Sequence, residues 1–346
     1  MTSCDVTVRG GGIFGLACAW EMARRGAKVR LIEGTRIGAG ASGGLVGALS
    51  PHMPDQWNAK KQFQLESLLM AESFWSGAAE ASGLPTGYGR AGRLQALPDA
   101  RAVETARARE TTAADLWQGR ATWQVIRATG AAWEPASPTG LLIHDTLSAR
   151  LHPRMAAAAL AAAVTAKGGE IHIGEAPEQG IVLHATGVAG LTELGAALGK
   201  PVGGAVKGQA LSLRYPAPDA PQIYASGLHI IPHADGTVAI GSTSENSFDD
   251  PATTDTQLDA LHARALAALP CLTEAPVLER WAGLRPRARS RAPMLGRWPG
   301  RPGHFIANGG FKIGFGMAPK VATTMADLLL DSRDHIPEGF RVEDSL

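Results

Sequence analysis

The first 33 residues contain a strand, a glycine-rich turn, a helix and a second strand in immediate succession. Residues 6–8 predict a short buried strand, and a G-x-G-x-x-G run occupies residues 10–15. Apolar residues then recur at helical spacing up to Gly26, and the second predicted strand covers residues 28–32. Because a unit of this kind folds around a pair of parallel strands, the chain is predicted to be an α/β protein.

Each glycine of the turn has its own physical role in binding a dinucleotide. Gly10 permits the tight turn out of the strand, Gly12 lets the backbone approach a pyrophosphate, and Gly15 lets helix and strand pack closely. The helix N-terminus presents unpaired N–H groups and a positive dipole end to the phosphates. Glu33 ends the second strand, where a carboxylate accepts hydrogen bonds from ribose hydroxyls and disfavours a 2′-phosphate. The motif predicts a dinucleotide site and leaves FAD and NAD open.

Length and composition argue against several other classes of protein. The chain has 346 residues, enough for two domains, and its 45% hydrophobic and 19% charged residues are typical of a globular enzyme. A formal net charge of +1 gives no argument for nucleic-acid binding. No apolar stretch is long enough to span a bilayer, and the cysteines are far apart in sequence. With no signal peptide recognisable, we expect a cytoplasmic protein without a metal site.

Hydrophobic periodicity predicts further elements along the chain. Helices are predicted at 60–82, 99–118, 154–167, 255–269 and 318–330. Strands are predicted at 92–97, 140–143, 171–173, 181–185, 205–213, 229–232, 237–241 and 303–307. The α/β segments lie at both ends and in the middle, separated by β-rich segments. We therefore predict one domain built from residues 1–83, 145–203 and 287–346 that binds the cofactor, and a second built from 84–144 and 204–286 that binds the substrate.

A second glycine-rich segment, residues 34–44, directly follows Glu33. Glycine lets the backbone approach a flat or charged ligand, so this segment predicts another contact with the cofactor; a flexible surface loop is the alternative. Ser42 is expected to present its hydroxyl and N–H to a phosphate or ring. Further on, a buried strand runs into Thr186 and Gly187, a turn that packs well beside a nucleotide. An ordinary end of a strand is the alternative there.

Six segments in register match one enzyme family. They are residues 8–15 with Glu33, 38–47, 206–209, 229–241, 281–286 and 309–319. Together they resemble the D-amino-acid oxidase family of FAD enzymes, and its glycine oxidase branch most of all. The resemblance covers nearly the whole chain and favours FAD over NAD. It implies a Rossmann-like FAD-binding domain of the glutathione-reductase type beside a β-sheet-rich substrate domain, both discontinuous in sequence, with FAD bound non-covalently between them.

The resemblance also implies which residues contact substrate and cofactor. Arg285, in a Gly-Leu-Arg-Pro run, is expected to bind the substrate carboxylate; a structural ion pair with an acid such as Glu279 is the alternative. Lys312 lies in the C-terminal glycine turn, where glycine oxidases carry a second arginine. Contacts with the cofactor are expected from the glycine turns and their neighbours: Gly10, Gly12, Ile13, Phe14, Gly15, Glu33, Gly34, Arg36, Gly40, Ala41, Ser42, Gly47, Thr186, Gly187, Gly310, Phe311, Lys312, Ile313, Gly314 and Phe315.

The chain departs from the glycine oxidase pattern at one wall of the implied substrate site. His229 stands where the family has a tyrosine over the substrate, and a histidine there would donate to a carboxylate with a charge that depends on pH. His52 is a candidate for a role near the flavin, with a structural histidine as the alternative. Arg287, Arg289 and Arg291 predict a solvated basic loop, or else a funnel for an acidic or larger substrate.

The implied reaction is oxidation of the C–N bond of glycine, a D-amino acid or an N-alkyl glycine. Hydride passes to flavin N5, and the imine that results is hydrolysed to an oxo acid. Two alternatives stay open: a flavin domain that acts on an RNA-borne amino-acid group, and a non-catalytic flavin-binding subunit of a complex. The net charge argues against the first, and Arg285 against the second. The expected partner is a small amino acid or amine, with no nucleic acid and no membrane span. A homo-oligomer is compatible with the sequence.

Overall fold

The computed structural model describes residues 4–225 and 227–346 and contains two large β-sheets with helices packed against them. The helices are α1 (Ile13–Arg24), α2 (Ala59–Ser82), α3 (Ala100–Trp117), α4 (Pro153–Ala166), α5 (Gly187–Leu198), α6 (Thr256–Ala268) and α7 (Gly314–Asp331). The strands are β1 (Val6–Arg9), β2 (Val29–Glu33), β3 (Ala48–Leu49), β4 (Arg93–Ala96), β5 (Trp123–Arg127), β6 (Leu141–Asp145), β7 (Ala149–Arg150), β8 (Glu170–Ile173), β9 (Ile181–His184), β10 (Gly203–Arg214), β11 (Gln222–Ala225), β12 (Leu228–Pro232), β13 (Thr237–Gly241), β14 (Val277–Ala288), β15 (Met294–Arg297) and β16 (His304–Asn308).

The first sheet has six strands in the order β15-β16-β9-β1-β2-β8. β1 lies between β9 and β2 and runs parallel to both, with Val6 opposite Val29 and Ile181. The apolar residues of β1 and β2 are buried because helices cover the sheet, and α1 packs against α4 and α7. Trp20 of α1 is fully buried in this core. The predicted parallel unit at the N-terminus is therefore confirmed and stands at the centre of the sheet.

The second sheet has eight strands in the order β14-β10-β13-β12-β11-β4-β6-β5. Side chains alternate between its two faces, so the register of the strands decides which residues share a face. One row of directly opposed residues is apolar and is packed with α6 into a separate core: Leu94, Ile223, Ile230, Ile240 and Leu211. This row accounts for why the predicted β-rich segments assemble into one sheet.

The opposite face of the eight-stranded sheet carries polar and aromatic side chains. Its row of directly opposed residues is Gln95, Tyr224, His229, Gly241, Ala210 and Trp281. Arg285 lies four residues beyond Trp281 on β14, so it shares this face. A site built on this face draws residues from strands that are far apart in sequence.

Most predicted elements are confirmed, and the differences have physical reasons. The sequence predicted a glycine turn through residue 316 with a helix from 318, which is wrong, because α7 begins at Gly314 and contains Pro319. Packing of α7 against α1 and α2 outweighs the local preference of glycine and proline. Pro286 lies inside β14, which is tolerated because β14 is an edge strand. The elements that were not predicted include the long edge strand β14, on which Arg285 lies, and the shorter elements β5, β7, β11, β15 and α5.

Candidate active site

A cavity of about 680 Å³ connects the glycine turn after β1 with the middle of β14. This volume is within the range of about 300–1,000 Å³ that is common for ligand sites. Many of the predicted site residues line it: Gly10, Gly12, Ile13, Phe14, Glu33, Gly34, Gly40, Ala41, Ser42, Thr186, Gly187, Arg285, Gly310, Phe311, Lys312, Gly314 and Phe315. The fold thus brings together segments that the sequence analysis selected one by one.

The other predicted site residues lie outside this lining: Gly15, Arg36, Gly47, His52, His229 and Ile313. Two of the glycines permit close packing of the backbone instead. A Cβ on Gly15 would lie 1.9 Å from the carbonyl oxygen of Gly10, and one on Gly47 would lie 1.5 Å from that of Leu151. The side chain and the N–H of His52 both approach the amide oxygen of Gln64. The roles predicted for His52 and His229 in the reaction, and for the other four residues in binding the cofactor, stay predictions.

The turn between β1 and α1 forms the polar end of the cavity. Gly10 has φ of +104°, and a Cβ there would lie 2.4 Å from the carbonyl oxygen of Ala185, so only glycine fits. Gly12 is the N-cap of α1 and provides no capping side chain. The buried hydroxyl of Ser42 replaces it by accepting a hydrogen bond from the N–H of Ile13 at 2.9 Å. The hydroxyl hydrogen of Ser42 is then available to an anion at this helix terminus.

Glu33 lies at the end of β2, in the wall of the same cavity. Its two carboxylate oxygens accept hydrogen bonds from the N–H groups of Gly11 at 2.7 Å and Thr35 at 3.0 Å. These bonds fix the plane of the carboxylate. The hydroxyl of Thr35 also donates to Oε1 at 3.4 Å, so Oε2 is the oxygen that keeps a further lone pair for a hydroxyl donor. The arrangement is compatible with the predicted contact to a ribose.

Arg285 lies at the other end of the cavity and is 8% exposed. Its Nη1 donates to the carbonyl oxygen of Thr243 at 3.2 Å. Burial lowers the pKa of Arg285 to about 10, and the carboxylate of Glu245 acts in the opposite direction. The alternative partner Glu279 is instead paired with Arg154 at 2.6 Å. Arg285 is therefore a buried cation whose guanidinium lines a cavity.

Lys312 projects from the turn between β16 and α7 into the same region. Its Nζ lies 5.6 Å from the ring centroid of Phe311, a cation–π contact. Burial lowers the pKa of Lys312, and the positive charge of Arg285 adds to that effect. Two cations that repel each other in one cavity favour the binding of an anion between or beside them.

His229 lies on the polar face of the eight-stranded sheet, with its ring centroid 4.9 Å from that of Tyr224. Burial lowers the pKa of His229 to about 4, and the cations Arg93 and Lys312 act in the same direction. The sequence predicted a charge on His229 that depends on pH. The structure instead keeps this imidazole uncharged near neutral pH, because the charged form would be desolvated and would face two cations.

The sequence analysis missed residues beside His229 and Arg285. Gln95 and Tyr224 stand in the same cross-strand row as His229, and Trp281 lines the cavity without having been given a role. Alternation of polar and apolar residues in β4 and β11 indicates that one face of each strand is polar. That signal leaves open which strands become neighbours, so it could not place these side chains together.

The three basic residues after Pro286 do not form one feature. Arg289 and Arg291 are exposed, as a solvated loop predicts. Arg287 is partly buried, donates to the side chain of Asn246 at 3.1 Å and lies over the ring of Phe311. Within residues 4–225 and 227–346, no cluster of three or more His, Cys, Asp or Glu side chains could hold a metal ion. In the same ranges, no helix is long and apolar enough to cross a membrane.

Comparisons with known proteins agree with this geometry. Residues 5–328 match the sequence model of the DAO family, described as FAD dependent oxidoreductase. Glycine oxidase from Pseudomonas aeruginosa is 34% identical over 141 residues, so the chain spans 39% of that relative, and the match covers 39% of this chain. Glycine oxidase from Geobacillus kaustophilus is 27% identical over 94% of this chain and 92% of its own length. The crystal structure of glycine oxidase from Geobacillus kaustophilus has the same fold, with a TM-score of 0.84, 23% identity and 99% of each chain covered.

Proposed function

Because this chain belongs to the DAO family of FAD-dependent oxidoreductases, we propose that it oxidises the C–N bond of a small amino acid. The observation that carries the proposal is the buried guanidinium of Arg285 in the wall of the cavity that begins at the N-terminus of α1. One end of that cavity suits a diphosphate, and the other suits a carboxylate. Glycine oxidation by full-length relatives supports glycine, a D-amino acid or an N-alkyl glycine as the substrate class.

The residues at the end of the cavity next to the N-terminus of α1 fit FAD. Gly12 leaves space at the start of α1 that a side chain would occupy, with Ser42 Oγ only 3.3 Å from where a Cβ would lie. Ser42 and the free N–H groups of α1 would hold the diphosphate, and Glu33 would hold the ribose. We propose that this binding is non-covalent. When bound, FAD supplies the oxidising chemistry by accepting hydride from the substrate.

The residues at the second end would orient the substrate. Arg285 would hold the carboxylate with two parallel hydrogen bonds, which determine both its position and its plane. Lys312 would disfavour a protonated amine nearby and would stabilise negative charge that develops in the reaction. His229 lies outside the lining of this cavity, and its neutral imidazole would add no charge to this end of the site. In this proposal no side chain has to remove a proton, provided that the amine arrives neutral.

The two sheets support the division into domains. The six-stranded sheet is formed by strands within residues 1–83, 145–203 and 287–346. The eight-stranded sheet is formed mainly by strands within 84–144 and 204–286. We propose that the first three segments bind FAD and that the other two bind the substrate. We further propose a small-molecule substrate rather than RNA and a cytoplasmic location, and a homo-oligomer is compatible with this proposal.

A panel of amino acids mixed with the FAD-loaded protein without oxygen tests the function. A substrate bleaches the yellow colour of oxidised flavin, and the extent and rate rank glycine, D-amino acids and N-alkyl glycines. Bleaching by at least one of them is the expected result. Bleaching only by an aminoacylated RNA would favour action on RNA, and no bleaching by any amine would favour a non-catalytic subunit.

We expect Glu33→Ala to weaken the binding of FAD while the chemistry of bound flavin stays similar. Loss of a hydrogen bond to a charged group costs about 1.5–3 kcal/mol. The dissociation constant of FAD, measured by fluorescence titration of the apoprotein, should rise accordingly. Glu175 also lines the cavity, so Glu175→Ala is a control for the general loss of a negative charge. An unchanged FAD affinity in Glu33→Ala would contradict the assignment.

The pH dependence of flavin reduction should carry no inflection from His229 between pH 5 and 8. The ordinary pKa is 6.5, and burial lowers it to about 4, so this imidazole stays neutral across that whole interval. Rates in the wild type and in His229→Gln should therefore have pH profiles of the same shape. An inflection near pH 6.5 that is present in the wild type and disappears in His229→Gln would show that His229 titrates.

A further inference from the structure

The guanidinium of Arg285 lies across a strand that is not its own. Arg285 is on β14, the edge strand next to β10, and it is opposite Val206 in that ladder. The carbonyl oxygen to which Arg285 donates belongs to Thr243, which follows β13 on the other side of β10. The side chain of Arg285 therefore has to pass over β10 to reach its partner.

Gly208 is the residue of β10 over which the guanidinium passes. A Cβ on Gly208 would lie 1.9 Å from Nη2, 2.0 Å from Nη1 and 2.1 Å from Cζ of Arg285. Real Cβ atoms essentially never approach another heavy atom closer than 3.0 Å. The φ of Gly208 is not in the left-handed region, so its backbone conformation does not require glycine. What requires glycine is the position of the Arg285 side chain.

Thr243, whose carbonyl oxygen accepts from Arg285, is held in place by hydrogen bonds to β10. The N–H of Thr243 donates to the carbonyl oxygen of Gln209 at 3.2 Å, and the N–H of Gln209 donates to the hydroxyl of Thr243 at 2.8 Å. Glu245 exchanges two backbone hydrogen bonds of 2.9 Å with Lys207. Its carboxylate accepts from the hydroxyl of Thr243 and from Nε2 of Gln209, and it opposes the lowering of the Arg285 pKa by burial. The acceptor and the nearest negative charge are thus both fixed to β10.

We propose that Gly208 is a positioning residue that sets the height and plane of the Arg285 guanidinium in the substrate cavity. This inference rests on the proposed function in one respect, namely that Arg285 binds the substrate carboxylate. Any side chain at position 208 would push the guanidinium off β10, away from Thr243 and towards the cavity. A displacement of about 1 Å in a group that orients the substrate can lower the rate about 100-fold.

The test compares Gly208→Ala with Gly204→Ala in the FAD-loaded protein. Gly204 is four residues earlier on the same face of β10, and a Cβ there would meet nothing within 4 Å. Gly208→Ala should lower kcat/KM for the best amino acid about 100-fold and weaken the binding of glycolate, a carboxylate probe read from the flavin spectrum. FAD affinity should be unchanged. Gly204→Ala should match the wild type in all three measurements.

A double-mutant cycle separates positioning from a general structural role. In the Arg285→Ala background the guanidinium is gone, so Gly208→Ala should cause no further loss of kcat/KM or of glycolate binding. If Gly208→Ala alone fails to fold, the double variant should regain FAD binding, because the atoms nearest to the new Cβ have been removed. Losses that add in the double variant, or a double variant that also fails to fold, would overturn the positioning role.

The outcomes distinguish this inference from the function on which it rests. A normal Arg285→Ala would overturn the proposed carboxylate contact. An impaired Arg285→Ala together with a normal Gly208→Ala would overturn the positioning role of Gly208 alone. The positioning role of Gly208 would also be overturned if Gly208→Ala lost thermal stability and FAD affinity while its folded fraction kept an unchanged affinity for glycolate.

Discussion

Arg285→Ala should slow the reduction of bound flavin by the best amino-acid substrate by about 30- to 5,000-fold, which corresponds to a loss of about 2–5 kcal/mol of transition-state stabilisation. Arg285 is only 8% exposed, so its hydrogen bonds to a carboxylate would form in a largely desolvated site. These bonds would hold the substrate and also orient its reacting carbon. We therefore expect both the rate of flavin reduction and the affinity for the substrate to fall. Rapid mixing without oxygen measures the two quantities separately.

Arg285→Lys distinguishes the shape of the guanidinium from its charge. An ammonium keeps the charge but lacks the planar pair of donors, so this variant should also be impaired, though less than Arg285→Ala. Arg280 is on the same strand, is exposed and pairs with Asp259 at 2.8 Å, which makes Arg280→Ala a matched control with normal kinetics. Unchanged flavin reduction and substrate affinity in Arg285→Ala would remove this residue from the substrate site.

The features that could be predicted from sequence are those that a short stretch of chain determines. The turn from Gly10 to Gly15 could be predicted because three of its glycines allow close approaches that a side chain would prevent. Hydrophobic periodicity predicts the strand before this turn and the helix after it. Glu33 is the last residue of β2, and the strand beside it, β1, belongs to the same N-terminal unit. The glycine turn and the position of Glu33 are therefore encoded within 33 consecutive residues, whereas Ser42 and Thr186 reach the same end of the cavity from later segments.

The substrate end could not be predicted in the same way, because it depends on contacts between distant segments. The charge of His229 was expected to depend on pH, yet burial lowers its pKa, and the two cations that add to this effect come from β4 and from the turn before α7. Arg285 was recognised by resemblance, but its acceptor Thr243 and the glycine beneath it depend on the register of β10 with two neighbours. Local propensity contains no information about that register.

Gly12→Val should abolish the binding of FAD and leave the protein folded. Gly12 has φ of −83° and ψ of 179°, an extended conformation open to valine, so the backbone is not strained by the change. A Cβ there would lie 3.3 Å from Ser42 Oγ, and the two methyl groups of valine would enter the space in front of the α1 N-terminus. Overpacking costs about 1–3 kcal/mol, and each lost hydrogen bond to a charged phosphate costs about 1.5–3 kcal/mol more.

Gly15→Ala, in the same motif, should lower the stability of the fold rather than block FAD directly, and it serves as the contrast to Gly12→Val. Its Cβ would lie 1.9 Å from the carbonyl oxygen of Gly10, so strand and helix would have to separate, and the protein itself should lose stability. Circular dichroism follows unfolding, and titration with FAD follows binding, in both variants and in the milder Gly12→Ala. A folded, colourless Gly12→Val beside an unstable Gly15→Ala would show that two glycines of one motif act on different steps, one on the ligand and one on the fold. A Gly12→Val protein that still binds FAD with wild-type affinity would mean that the diphosphate lies away from this helix terminus.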